Sequence, residues 1–290
     1  MPNSYTTHAK VREYMGLEES DTTDDNLFRT LMWRASKAID SFTRRKFYPR
    51  VETRYYTLDD SKLVRLDDDL LSLTTLKDYN GASTVGAGVL FTAAGSNWNR
   101  TPSDRIIIDS SSGSTLNYSG TPEKAVEVTG VWGYHEDWDN AFLDTGTSLA
   151  ASVTDSSTTL EVAGAGSTGS DINYEWPRIA IGDLVRLDSE YLQVVNTGGA
   201  AASVLVIRGA NGTTAASHAS AATVDKFVVE GTIEFAARRL AGWTAAQRNT
   251  PYEVGTSAPG QFGMIDIPQS WPPDVKERLR RFVKREIQAL

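Results

Sequence analysis

The sequence predicts an α+β protein in which helices from both ends of the chain build one helical bundle module and β structure fills the middle. Three observations lead there. Apolar residues recur at helical spacing near the N-terminus and again from about residue 229. Between about residues 50 and 140 the pattern changes to short alternating runs broken by Gly, Asp, Asn and Ser. Near Asn140 the composition shifts to an Ala-, Ser-, Thr- and Gly-rich stretch that reaches about Val224. The expected domains are a discontinuous helical module, 1–48 with 229–290, an antiparallel β region, 49–140, and an inserted second small β domain, 141–228.

In chain order, Thr6 or Thr7 caps a short helix that runs to about Met15, where Gly16 ends it. A longer helix follows in ESDTTDDNLFRTLMWRASKAIDSFTRRKF. Residues Asp21 to Asp25 offer N-caps and place carboxylates at the positive end of the helix dipole. Leu27, Leu31, Ala35, Ala38, Ile39 and Phe42 form its expected apolar stripe, and Arg44, Arg45 and Lys46 fall at the negative end, where they compensate the dipole.

RVETRYYTLDD, KLVRLDD, SLTTLKDYNG, GVLFTAAG, DRIIIDS and AVEVTGVWGY then read as strands, with Val126, Val128 and Trp132 on one parity of the last. In the second β region TLEV, RIAIGDLVRLDSEYLQVV, SVLVIRG and TVDKFV are the strand candidates; Val185, Leu187 and the run from Tyr191 to Val195 supply a small core.

Helix returns in EGTIEFAARRLAGWTAAQ, where Ile233, Ala236, Ala237, Leu240 and either Trp243 or Ala246 share a face. A Gly- and Pro-rich connection over 249–271 is long enough to be functional or to order only on binding. Pro272 and Pro273 suit a helix start, and Val275, Leu279, Phe282, Val283, Ile287 and Leu290 make its stripe. Lys276, Arg278, Arg280, Arg281, Lys284 and Arg285 lie mostly outside that stripe. Helical ends with apolar faces need each other's burial, which is why they are placed in one module.

Composition narrows the function. The chain has 290 residues, 40% of them hydrophobic and 23% charged, which suits a soluble protein with a sizeable core. It has no cysteine, which excludes disulfides, thiolate metal sites and a cysteine nucleophile. The N-terminal stretch lacks a secretory pattern and no apolar run approaches a membrane span, so a soluble protein made in a cytoplasm, with no membrane partner, is expected. A formal net charge of -8 argues against wholesale nucleic-acid binding but leaves room for a local basic patch.

The three histidines, His8, His135 and His218, fall in three different regions, none with a second histidine at metal-ligand spacing. YHEDWDN sets His135 beside Glu136, Asp137 and Asp139, but it lacks the glycine and ligand spacing of a calcium loop and reads as a solvated acidic turn. The carboxylates of LDDDLL read as charged turns, and no GxSxG, Walker or dinucleotide fingerprint occurs. No enzymatic activity, metal or cofactor is expected.

Three segments carry a family resemblance: VREYMGLEESDTTDDNLFRTLMWRASKAIDSFTRRKFYP, then VEVTGVWGY, then the late helix with GQFGMIDIP and PPDVKERLRRFV. Their order resembles that of the head-tail connector, or adaptor, proteins of long-tailed bacteriophages, over about 1–140 and 229–290. Family members usually pass from the VTGVWGY-like strand almost directly into the next helix, whereas here some eighty to ninety residues intervene. Within these, IGDLVRLDSEYLQVV followed by VIRGANGTTAASHASAATV is similar to a small β module that recurs in phage structural proteins. Arg208, Asn211 and His218 of that stretch invite reading as a site; Gly209 and Gly212 instead favour plain turn geometry.

The resemblance implies a non-catalytic virion protein of the neck, assembled in the host cytoplasm. Such adaptors form a ring, commonly of twelve subunits, under the portal. The ring extends the DNA channel, through which genomic DNA passes without specific binding, and presents a platform to a stopper or tail-completion protein. Arg278, Arg281, Lys284 and Arg285, with Arg44, Arg45 and Lys46, are then the candidate contacts to the portal protein and to neighbouring adaptor subunits. Two other classes stay open from the residues: a virion-surface carbohydrate- or host-binding protein using Tyr174, Trp176 and Tyr191 of the insert, and a DNA-binding protein using the terminal helix.

Overall fold

The computed structural model describes residues 3–17, 24–86, 88–91, 103–163, 177–197, 203–248 and 271–284. The chain divides into two compact units, Pro2–Arg44 with Gly231–Leu290, and Arg45–Glu230.

The first unit is helical. Helix α1 (His8–Met15) is capped by Thr7, whose Oγ1 accepts from the Lys10 N–H, and is closed by Gly16 at φ +65°. Helix α2 (Asp25–Thr43) ends where Arg44 turns left-handed, at φ +55°. Of the expected capping stretch, residues 21–23 lie outside the described residues; Asp24 is the N-cap and makes no side-chain cap bond, and Asp25 lies in the first turn.

The buried face of α2 differs from the expected stripe. Phe28, Leu31, Met32, Ala35, Ser36, Ile39, Asp40 and Thr43 are buried, while Leu27, Ala38 and Phe42 are only half-buried. The face is rotated because three polar side chains on it are satisfied. Ser36 Oγ donates to the Met32 carbonyl and accepts from the Tyr5 N–H, both at 2.9 Å. Asp40 accepts the Tyr5 hydroxyl, and Thr43 Oγ1 donates to the Ile39 carbonyl at 2.8 Å. A hydrogen-bonded polar group can be buried at little net penalty, and a hydropathy pattern cannot see that bond.

Helix α3 (Gly231–Arg248) packs against α1, α2 and α4 (Pro273–Arg280). With three neighbours it buries small residues around more of its circumference. Ile233, Ala236, Ala237, Leu240, Ala241 and Ala245 are buried. Trp243 is half-buried and Ala246 exposed, so the expected face continues through Ala241 and Ala245 instead. Gly242 lies so close to Tyr14 that a Cβ there would meet the ring at 2.7 Å.

The second unit is β-rich. Its first part contains β1 (Arg50–Tyr56), β2 (Leu63–Arg65), β3 (Leu70–Asp78), β4 (Ser83–Thr84), β5 (Val89–Leu90), β6 (Arg105–Ile108) and β7 (Val126–Trp132). They form a four-stranded sheet in the order β1-β7-β3-β4 and a three-stranded sheet in the order β2-β6-β5, all pairs antiparallel. Val126, Val128 and Trp132 point into a shared core with Val64, Leu70, Leu76, Ile106, Ile108 and Leu116. Gly130 falls on the same parity, and a Cβ there would lie 2.2 Å from the Ser72 carbonyl oxygen, where the β3–β7 register is irregular.

The same unit continues with β8 (Phe142–Ser148), β9 (Thr159–Glu161), β10 (Leu184–Leu187), β11 (Glu190–Thr197), β12 (Ser203–Ile207) and β13 (Thr223–Phe227). Their order is β8-β13-β10-β11-β12-β9. The two outer strands meet beyond their named ends. Leu149 pairs with Val162, the Ala163 N–H donates to the Ser148 carbonyl at 2.7 Å, and the Ala150 N–H donates to the Glu161 carbonyl at 2.8 Å. The sheet therefore closes into a small barrel, around Leu149, Leu160, Val162, Ile179, Val185, Leu187, Leu192, Val194, Val204, Val206 and Val224.

Closure removes sheet edges that would otherwise be open to other chains. The first and last strands of the barrel pair with each other, Phe142 opposite Phe227. The chain thus enters and leaves at adjacent points, which is the geometry a module needs to be accommodated between β7 and α3.

Candidate functional site

A buried cluster of charged groups lies where the β10–β11 hairpin meets the segments around 154–157 and 208–218. At its centre is Glu190, on the first position of β11, with a side chain 1% exposed. Arg208 grips it with two bonds of 2.8 Å, from Nε to Oε1 and from Nη2 to Oε2. The same guanidinium donates to the carbonyls of Thr154 at 2.6 Å, Ser157 at 2.9 Å and Ala216. The backbone N–H groups of Gly209 and Ala216 donate to the Glu190 carboxylate at 2.8 and 3.0 Å. His218 completes the knot, with Nε2 2.9 Å from Glu190 and Nδ1 2.7 Å from Asp188.

Turn geometry accounts for part of the RGANGTT stretch: Gly209, Asn211 and Gly212 all have positive φ, at +57°, +55° and +85°. Arg208 and His218 do more than that reading allows. They neutralise and orient a buried carboxylate, and they tie the segments around 154–157 and 208–218 to the β10–β11 hairpin. Glu190 itself escaped the sequence reading. Its signal was faint, one acid opening the largely apolar strand sequence EYLQVV. Every polar atom named in the knot has a partner inside the fold, and this arrangement holds structure rather than substrate.

Burial alone would raise the carboxyl pKa of Glu190, but bonds from Arg208, His218, Gly209 and Ala216 outweigh it and lower the value from 4.5 to about 2. The folded-state value is depressed, so the resulting stability is fully present above about pH 4.5 and is lost as pH falls towards about 2. Chemical unfolding between pH 6 and about 2 is expected to show this loss, and Glu190→Gln is expected to flatten that part of the profile.

The basic residues singled out in the sequence do not form one surface. Helix α4 turns Val275, Leu279 and Phe282 inward, at 0, 0 and 2% exposure. Arg278, Arg280 and Arg281 are exposed. Arg278 lies over the Phe235 ring at 4.9 Å, Arg281 lies over Phe282 at 4.4 Å and donates to Thr232 Oγ1 at 3.0 Å, and Arg280 pairs with Glu277 at 2.7 Å. These contacts stay on the surface and hold the arginines as an ordered basic face. Lys284 is half-buried and its N–H donates to the Thr43 carbonyl at 2.8 Å. Arg285, Ile287 and Leu290 lie outside the described residues.

Arg44 is exposed at the end of α2, whereas Arg45 and Lys46 belong to the β-rich unit. Arg45 is turned inward. It pairs with the buried Asp69 at 2.6 Å and covers the Tyr134 ring at 4.4 Å, so it serves an internal ion pair rather than the helix dipole. Lys46 is half-buried, and its carbonyl accepts from the Tyr134 N–H at 2.7 Å.

The other marked residues are also tied into the fold. Of the LDDDLL carboxylates, Asp67 takes Arg54 and the Tyr56 hydroxyl, Asp68 takes Arg50 and Arg54, and Asp69 takes Arg45. His135 uses both ring nitrogens locally: Nε2 lies 2.9 Å from the Val228 carbonyl, and Nδ1 accepts from the Asp137 N–H. His8 is buried beside Asp25 at 3.1 Å, and its pKa is lowered because burial outweighs that carboxylate. Among the described residues no group of three or more His, Cys, Asp or Glu is placed to hold a metal, and no helix is long and apolar enough to cross a membrane.

Tyr191, expected as one member of an aromatic platform, is instead buried and stacked on Phe142, with ring centres 5.4 Å apart. Burial pushes its hydroxyl up to about 12. Tyr174 and Trp176 lie outside the described residues, as does almost all of the 249–271 connection.

No protein-family model and no curated protein matches the chain. Among solved structures it is similar to a chain from the neck of an empty GTA particle computed with C6 symmetry. The identity is 18% and the TM-score 0.33, and the match covers 46% of this chain and 67% of that one.

Proposed function

We propose that this chain is a non-catalytic structural protein of the neck of a phage-like particle, a ring-forming adaptor that binds beneath the portal. The observation that carries the reading is the α4 face, in which an apolar stripe is locked into a module built from both chain ends while Arg278, Arg280 and Arg281 stand outside it. A basic face on a protein of net charge -8 suits an acidic protein neighbour better than a nucleic acid, whose binding draws on many phosphate contacts. The adaptor order of segments in the sequence supplies the rest: portal above, neighbouring adaptor subunits, twelve in the ring, at each side, and a stopper or tail-completion protein below. Genomic DNA would pass through the channel unbound, and the barrel would project outward, since a module of that size inside the channel would obstruct passage.

Electron microscopy of the full chain mixed with the portal protein tests this. Rings seated on the portal are expected, and a persistent monomer without portal affinity would remove the proposal. Arg278→Glu with Arg281→Glu is expected to weaken portal binding by about tenfold or more while leaving the circular-dichroism melt nearly unchanged, because both side chains are on the surface.

A further inference from the structure

A depression of about 310 Å³ opens in the β-rich unit, where the β1–β2 connection meets the turn after β3 and the stretch around residue 117. Leu58, Asp59, Asp60, Tyr79, Asn117 and Tyr118 are among the residues lining it. Its two tyrosines are unusually open for large rings, at 41% exposure for Tyr79 and 50% for Tyr118. Tyr79 and Asn80 also adopt φ of +49° and +61°, a region that a bulky side chain rarely enters.

The surrounding backbone enforces that conformation. The Tyr79 N–H donates to the Asn117 carbonyl at 3.1 Å, and the Asn80 N–H donates to the Ala125 carbonyl at 3.0 Å. Asn80 Oδ1 accepts from the Ser119 N–H, and Asp78 Oδ2 accepts from the Asn117 N–H, both at 3.1 Å. Residues 78–80 and 117–119 therefore form one frame that holds an aromatic ring half in water. Strain of this kind persists where the surroundings over-determine it, and it clusters at sites of contact.

The chemistry of the depression is one-sided. Asp59 and Asp60 are exposed, and no basic side chain lines it. Aromatic faces beside carboxylates favour a cation. A guanidinium suits them best, because it stacks on a ring and bonds a carboxylate through its planar fork. The chain carries a matching group of its own in the exposed arginines of α4.

We propose that this depression receives the α4 arginines of a second copy of the chain. The contact joins two different surfaces, so it is head-to-tail and propagates around a ring. It rests on the ring-forming reading above and names the surface that faces α4 in the neighbouring subunit.

Sedimentation velocity of the full chain over a concentration series at low salt is the test. Asp59→Arg with Asp60→Arg, and separately Arg278→Glu with Arg281→Glu, are each expected to weaken self-association by about tenfold or more. An equal mixture of the two variants is expected to recover association, because the intact helix of one meets the intact depression of the other and the two reversed surfaces also match. Tyr118→Ala, which keeps every charge, is expected to weaken association by about threefold to tenfold. Circular dichroism checks that each variant is folded. Unchanged association in the depression variants, failure of the mixture to recover, or a chain that stays monomeric at every concentration overturns the contact. Portal binding of the unsubstituted chain and of the Asp59→Arg with Asp60→Arg variant separates the two readings: retained binding without self-association leaves the neck role standing without this contact, and no portal binding by the unsubstituted chain removes both.

Discussion

Arg208→Ala is expected to lower the unfolding free energy by about 3–5 kcal/mol. The substitution removes the forked partner of a carboxylate whose side chain is 1% exposed. It also strips the carbonyls of Thr154, Ser157 and Ala216 of the guanidinium they share. Glu190 would retain His218 and the N–H groups of Gly209 and Ala216, which cannot replace a full charge in a dry interior.

Arg208→Lys is expected to recover only a minor part of the loss. A compact ammonium cannot bond both carboxylate oxygens and reach three carbonyls from one position. A double variant, Arg208→Met with Glu190→Leu, is expected to be more stable than Arg208→Ala, because it removes the orphaned charge along with its partner. Urea unfolding followed by circular dichroism gives the order. If Arg208→Ala were within about 0.5 kcal/mol of the parent, as an ordinary surface change is, the knot would not be holding the barrel.

Trp132→Ala is expected to have an effect of the same size, about 3–5 kcal/mol, from a different cause. The ring is fully buried in the core between the first two sheets. Its Nε1–H donates to the Glu52 carbonyl at 3.0 Å, which pins the end of β7 to β1. Arg54 lies over the ring at 4.2 Å, and Tyr56 lies beside it with centroids 6.1 Å apart. Alanine leaves a cavity, frees a carbonyl and removes the platform under Arg54, whose partners are Glu52, Asp67 and Asp68. Trp132→Phe keeps most of the apolar volume and loses the N–H, so a smaller loss of about 1–3 kcal/mol is expected. Equal losses for Phe and Ala would assign the stability to the hydrogen bond instead of to packing.

Much of the fold was legible in the sequence where short-range chemistry decides structure. Thr7 and Gly16 bound α1 because a hydroxyl satisfies an early N–H and glycine tolerates the left-handed exit. Pro273 opens α4 because its missing N–H is one that a helix start leaves unpaired anyway. The alternation of β7 placed Val126, Val128 and Trp132 in one core. Leu31, Ala35 and Ile39 of the expected α2 stripe are buried, but the stripe missed the side of the face that carries Ser36, Asp40 and Thr43, because these counted as polar and their partners were invisible. The RGANGTT segment was read as turns because Glu190, which gives Arg208 and His218 their role, comes 18 and 28 residues earlier.

The sequence by itself determined the periods, the caps and the order of the elements, since each depends on residues within about one turn or one hairpin of each other. Only the tertiary structure decided which polar groups go inside and what meets them. Trp132 bonds a carbonyl 80 residues away, Asp69 takes Arg45 across another connection, and the barrel closes through Leu149 and Val162. The exposed rings of Tyr79 and Tyr118 came together in the same way, across 39 residues. The physical reason is that burying a polar or charged group is favourable only with its partner in place, and the partner's position is a property of the folded chain.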